Sequence, residues 1–530
     1  MNRFVASCLG LMLMTALPAA SAETVQGQLE LRWGDPAVVQ GKARLPSRFL
    51  ATLVGDDGSR RALDPAQARR AAVDLYALGN RRVAVEFSPA KGGAGAATIT
   101  AIVPADRAWL PASSKALVEA KITGNTRWVT VACKFSDIAT EQNPVTFFND
   151  QYGNTAGRLG HYWSEVSYGK INLTGSSAYG WFTLPQPRSF YITTVDGKDK
   201  ANLNQLFRDC AALADPVVDF NAVQGVNMMF NGDLDGSAWG GGACGLLEGV
   251  EQCIRNTWNP PWSFANLAPL AHEMGHGYGL PHSDNSDGDD DTYDNPWDVM
   301  SDAWSNAAST VTYGRLPKHI NTVQRERLGW LEPARQLSVG VGGAHRELVL
   351  DRASLAGSGN LQAITLYTRN PDSRGIYTYR VEARRRIGTY ESQLAGDAVI
   401  IHAVATSFNH AGDPVPGTAY SVDADQPPAD RSNNEGSMFK VGESWVSPDG
   451  SQRIRVVRET AEGFVVTIGW PRETGGNMRP RVRPSAAAPA VSSASRPAST
   501  PSASQRTPAA GNCTGKARLG GAAACASQER

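Results

Sequence analysis

Ala271-His272-Glu273-Met274-Gly275-His276-Gly277-Tyr278-Gly279-Leu280-Pro281-His282 is the stretch on which the reading of this 530-residue chain turns. On a helix, His272 and His276 stand one turn apart on the same face, their stems about 6 Å from each other. Two imidazoles so placed can grip one zinc ion at roughly 2.0–2.1 Å each. Glu273 follows the first histidine directly, so its carboxylate reaches a water on the ion rather than the ion itself. Gly279 permits a left-handed residue that ends the helix and turns the chain. His282 then approaches the same ion from below. Three neutral histidines leave a fourth position open to water, the mark of a catalytic rather than a structural zinc site. The chain has only eight histidines, and a chance occurrence of H-E-x-x-H-x-x-G-x-x-H is expected on the order of 10⁻⁵ times in such a sequence.

Working outward, Asp298-Val299-Met300-Ser301 lies eighteen residues beyond His282. Upstream stands Tyr162-Trp163-Ser164-Glu165-Val166-Ser167-Tyr168-Gly169-Lys170-Ile171, and downstream Asn321-Thr322-Val323-Gln324-Arg325-Glu326-Arg327-Leu328-Gly329-Trp330. With these segments in view, the sequence resembles the metzincin zinc peptidases, whose extended histidine motif it matches at every fixed position. Within them it is similar to the secreted gametolysin-like and immune-inhibitor-A-like peptidases, over about 125–333 with a fainter echo near 375–404. The resemblance implies a tight turn carrying Met300 beneath the metal. It also implies a substrate lying extended along an edge strand above the ion. Ser237-Ala238-Trp239-Gly240-Gly241-Gly242 is a candidate for that rim, although its glycines equally suit a bulge or a flexible loop; no substrate-binding residue is assigned. Tyr168 and Trp330, aromatic residues beside glycines, read as packing.

Three departures from the family pattern matter. Pro269 lies three residues before His272, so the helix either starts near it or kinks there. Residues 23–132 hold no cysteine, so a latency segment, if that is their role, must block the cleft with another ligand or sterically. Where some metzincins place a tyrosine two residues after the methionine, this chain has Asp302; Tyr293 and Tyr313 are possible substitutes, and neither is assigned. The acidic run Asp284, Asp287, Asp289, Asp290, Asp291, Asp294 offers hard oxygen ligands for calcium, but its spacing misses the EF-hand pattern and a solvated acidic loop is the preferred reading.

Met1–Ala22 has a positive start at Arg3, an apolar stretch from Phe4 to Leu17 and a small-residue site at Ala20-Ser21-Ala22, which reads as an export signal. The expected location is extracellular, with the periplasm as the alternative. Without Cys8 in that signal, six cysteines are left, an even number that suits disulfides. Proximity pairs Cys244 with Cys253 and Cys513 with Cys525, leaving Cys133 with Cys210. Lysine and arginine balance aspartate and glutamate at 51 each, which argues against a dedicated nucleic-acid binder. No later stretch reaches 18 apolar residues, so no transmembrane helix is expected.

Residues 23–124 alternate polar and apolar in short runs, interrupted by one helix with Asp64 as cap and Pro65 in its first turn; they read as an N-terminal β-rich domain, for which a propeptide is a candidate role. Residues 125–333 carry the motif and read as an α+β metzincin-like catalytic domain, a twisted sheet plus the active-site helix. Strand patterns return over 334–471 as a β-sandwich-like domain, and 472–530 is an Ala/Ser/Pro-rich tail whose composition suits disorder. The expected function is a secreted zinc endopeptidase acting on proteins or peptides, with His272, His276 and His282 as ligands and Glu273 as the catalytic residue. Two other readings stay open: a zinc-containing adhesin without proteolysis, and a zinc hydrolase acting on a non-protein amide. Cleavage specificity and oligomeric state are not legible.

Overall fold

The first strand, β1 (Glu23–Pro36), alternates in exposure over its first half and is then buried at every residue from Leu29 to Pro36. The change has a topological cause. In a computed structural model, which describes residues 22–38, 45–89, 97–107, 121–288, 291–372, 375–376, 378–408, 414–425 and 434–470, β1 lies inside a ten-stranded sheet. Residues 1–21, in which the expected export signal with Cys8 falls, residues 471–530 with Cys513 and Cys525, and Asp289 and Asp290 lie outside the described residues.

β2 (Arg48–Val54), β3 (Arg60–Leu63), β4 (Arg82–Ser88) and β5 (Thr98–Pro104) extend that sheet, with the short helix α1 (Pro65–Ala71) packed on it. As the sequence suggests, Asp64 caps α1, accepting from Gln67 N at 2.8 Å. The sheet continues with β6 (Trp128–Lys134), β7 (Ser177–Thr183), β8 (Gly225–Phe230), β9 (Ser237–Leu247) and β10 (Val250–Asn259). The strand order is β3-β2-β1-β9-β10-β8-β6-β7, with β4 on β1 and β5 on β4. β6, β7, β8 and β10 run parallel, whereas β9 is antiparallel to both β10 and β1.

β6 shows why the central strands are continuously apolar: both faces are covered. Trp128 and Ala132 join one core with α2 (Leu159–Val166) and the motif helix, while Val129, Val131 and Cys133 join the other with α3 (Leu203–Ala214). The Cys133–Cys210 disulfide links β6 to α3 within that second core, and Cys244–Cys253 crosses the β9–β10 hairpin. Both described pairings agree with the proximity argument. Trp330 is fully buried and donates to Ile122 O at 2.8 Å, and the Tyr168 hydroxyl donates to Ala353 O at 2.5 Å.

Beyond α5 (Thr322–Arg327), two sheets enclose one core that includes Leu350, Val381, Val399, Trp445, Phe464 and Val466. One of them takes in the two-residue strand Asp284–Asn285, paired parallel with Tyr420 and Ser421. That strand begins two residues after His282, so the C-terminal sheet is built directly onto the candidate site. The whole is a mixed α/β architecture with several sheets and few helices. Among the described residues no helix is long and apolar enough to cross a membrane.

Candidate metal centre

The motif helix, α4 (Leu267–Gly277), is buried along its entire length, as expected of a helix apolar on every side but one. It starts after Asn266, which places Pro269 in the first turn, where its missing N–H is no loss. Gly275 faces the Met300 turn: a Cβ there would lie 2.3 Å from Met300 Sδ. Gly240 on β9 faces the other side, where a Cβ would lie 2.4 Å from the Glu273 carbonyl oxygen and 2.8 Å from Glu273 Oε2. Glycine at these two positions lets the helix sit between rim strand and turn at backbone contact distance.

After α4 the chain reverses. Gly279 takes φ +87°, and Leu280 N donates to Gly275 O at 3.0 Å. This brings His282 back to the histidine face. The Nε2 atoms of His272, His276 and His282 form a triangle with edges of 3.1, 3.2 and 3.3 Å. Meanwhile His272 Nδ1 lies 2.6 Å from Val299 O and His276 Nδ1 lies 2.7 Å from Leu280 O. A carbonyl only accepts, so each Nδ1 carries the proton and each Nε2 presents a lone pair. Lone pairs converging at this separation repel unless a cation sits between them. Tetrahedral bonds of about 2.0–2.1 Å give N–N edges of roughly 3.3–3.4 Å, so the triangle fits one face of such an ion.

The Met300 turn supplies part of this frame. Met300 N donates to Asp298 Oδ1 at 2.8 Å, Asp298 Oδ2 accepts from Asn321 Nδ2 at 2.5 Å, and Ser283 N donates to Met300 O at 3.2 Å. The Val299 carbonyl that orients His272 belongs to the same turn. From the C-terminal region Arg384 donates to Trp297 O at 2.6 Å, and Ser437 Oγ accepts from Trp297 Nε1 at 3.0 Å.

Two residues reach the site that the sequence did not assign to it. Asp35, at the end of β1, lies with Oδ1 2.8 Å from His282 Nε2 and Oδ2 3.3 and 3.5 Å from the nitrogens of His276 and His272. Asp35 and the three histidines are the one group among the described residues whose ligand atoms converge closely enough for a metal ion. Tyr293 donates to Asp35 Oδ1 at 2.5 Å, and its ring stands edge-on to His282 at 5.4 Å. Tyr313 instead packs against Phe147, and Asp302 Oδ1 accepts from Trp304 N at 2.8 Å. Burial pushes the His276 imidazole down to about 3 against the opposing pull of Asp35. A buried carboxylate facing unprotonated His276 needs a cation to neutralise it.

Of the acidic run, Asp284, Asp287 and Asp291 act on Asp294: burial first, then the charge of Asp284, with Asp287 and Asp291 adding to it, pushes Asp294 up to about 9. Because the folded state holds that proton more tightly than the unfolded chain, the group's contribution to stability falls as pH rises from about 4 towards 9. Asp294→Asn keeps the oxygen that accepts from Asn285 N and carries no charge. In calcium-free buffer its melting temperature is expected to exceed that of the parent by an amount that grows between pH 5 and pH 8. An unchanged difference across that range in a thermal-melt series counts against a proton-holding Asp294.

Imidazoles with a common focus, oriented from behind by carbonyls and followed by a buried glutamate, define a candidate metal centre. The chain matches the profile of the gametolysin peptidase M11 family over residues 128–413. That is more than half its length, and the chain belongs to this family of metallopeptidases. No curated protein sequence matches it significantly.

Proposed function

We propose that the chain is a secreted zinc-dependent endopeptidase of the metzincin type, acting on extracellular proteins or peptides. His272, His276 and His282 would hold the ion, and Met300 would floor the site. The observation that carries this reading is the triangle of three Nε2 atoms, with edges of 3.1–3.3 Å, beside Glu273. Zinc suits three neutral imidazoles with one open position. When bound there, the ion supplies the Lewis acidity that lets water attack an amide at neutral pH.

The protein's own groups do the rest. Glu273, one residue after His272 and facing the β9 rim at Gly240, takes the proton from the attacking water and passes it to the leaving amine. With β1 released from it, the β9 backbone would align an extended peptide by main-chain hydrogen bonds. Two disulfides among the described residues suit an oxidising compartment.

The test is peptide release from casein and gelatin by the metal-loaded chain, with Glu273→Ala measured beside it. Release above the Glu273→Ala background supports the endopeptidase. A metal-loaded chain that cleaves a cell-wall amide but no protein would favour the non-protein hydrolase. Metal retention with neither activity, in variants with an open site as well, would favour the adhesin.

A further inference from the structure

The β9 strand is the rim above the histidine triangle, and a sheet edge in that position offers its free N–H and C=O groups to an extended peptide. Here that edge is taken. β1 runs antiparallel along it with Arg32 opposite Gly241, Trp33 opposite Gly240, Gly34 opposite Trp239, Asp35 opposite Ala238 and Pro36 opposite Ser237. We propose that β1 is an intramolecular substrate mimic, with Asp35 as the metal's fourth ligand, so that the chain as folded is latent. The inference rests on the peptidase reading of the site and names how that site is regulated.

Several contacts hold the strand there. Arg32 Nε donates to Gly242 O at 3.0 Å, and Ala37 N to Gly236 O at 2.9 Å. Arg48, from β2, pairs with Asp235 at 2.9 Å, donates to Ser237 Oγ at 2.8 Å and lies over the Trp239 ring. Trp33 stacks on His276 with ring centroids 4.7 Å apart and planes within 2°. The Asp35 carboxylate therefore sits at the apex above the three nitrogens, held by the Tyr293 hydroxyl.

The chemistry explains why such a mimic is not turnover-competent. Asp35 presents a carboxylate where a substrate presents an amide carbonyl, and that carboxylate occupies the place of the attacking water. Being tethered, it competes at a high effective concentration with any external ligand. This also answers how a cysteine-free N-terminal segment can close a zinc site: an oxygen ligand takes the role of a thiolate. Activation then requires β1 to leave the β9 edge.

The experiment compares the full chain with Asp35→Ala, Asp35→Asn and Gly34→Val, each loaded with Co²⁺ or Zn²⁺. Gly34→Val keeps the Asp35 side chain itself but lifts the strand that carries it, since a Cβ at Gly34 would lie 2.7 Å from the Trp239 ring. Three readouts are taken: the visible spectrum of the Co²⁺ form, the Kd of acetohydroxamate by calorimetry, and casein cleavage. The expected result is an altered Co²⁺ spectrum in Asp35→Ala, hydroxamate binding at least 10-fold tighter in Asp35→Ala and Gly34→Val, and cleavage raised at least 10-fold in the same variants. Asp35→Asn, which keeps the shape but is a weaker ligand, falls between. Identical spectra and hydroxamate affinities in parent and variants would overturn the proposal even if all of them cleave casein. Altered spectra and tighter hydroxamate binding with no cleavage in any variant would uphold Asp35 as a ligand and bring down the peptidase reading instead.

Discussion

Glu273→Gln is expected to retain one metal ion per chain while losing casein cleavage by about 10²–10⁴-fold, the range ascribed to a positioned acid–base group. The carboxamide has the shape of the carboxylate, so the packing of Glu273 against Gly240 on β9 is preserved. The histidine triangle does not include Glu273, so the metal affinity has no reason to fall. What disappears is the buried carboxylate beside the triangle that is to accept a proton from water and return it to an amine. Measured in the Asp35→Ala background, where the site is expected to be open, the loss appears in kcat with the metal content unchanged. An adhesin that keeps its zinc for structure predicts no functional change at all.

Gly240→Val is the substitution expected to damage the architecture most. Its Cβ would stand 2.4 Å from the backbone oxygen of Glu273, and a buried helix backbone cannot step aside as a flexible side chain can. Overpacking of this kind typically costs about 1–3 kcal/mol, and here the strain falls directly between the rim strand and Glu273, next to the first histidine of the motif. The expected outcome is a lowered melting temperature together with weakened metal retention on dialysis. Gly242→Ala, further along β9, tests a lesser case, since the nearest atom there is Asn80 Oδ1 at the end of a side chain. Melting and metal retention unchanged in Gly240→Val would mean that α4 does not sit against β9 as described.

How far the sequence reaches can be judged residue by residue. The convergence of His272, His276 and His282 is legible because it is local: one helical turn and one glycine turn bring all three nitrogens together, and no distant part of the chain is needed. The disulfides of Cys244 with Cys253 and of Cys133 with Cys210 follow from proximity and remainder. Asp35 is different in kind. It sits on the far side of the motif from any spacing rule, on a strand whose alternation looks like that of any half-buried sheet. Only the pairing of β1 with β9, more than 200 residues later, carries it to the histidines. Tyr293 is one of two tyrosines that the sequence offers near the metal, and nothing in its neighbourhood of aspartates tells it apart from Tyr313. The glycines of the rim also become intelligible only in three dimensions: Gly240 answers to Glu273, and Gly242 to Asn80. Strand patterns over 23–124 speak of a sheet but are silent on which sheet, because backbone pairing partners leave no mark in a period of two.

The central claim is that His272, His276 and His282 form one metal centre, and X-ray absorption on the full chain tests it most directly. The account predicts close to one zinc per chain, three imidazole nitrogens at about 2.0–2.1 Å, a light oxygen ligand in the fourth place and no sulfur. His276→Ala is expected to lose the signal. Absence of a stoichiometric metal, or an ion bound without imidazole and kept by His276→Ala, would contradict it.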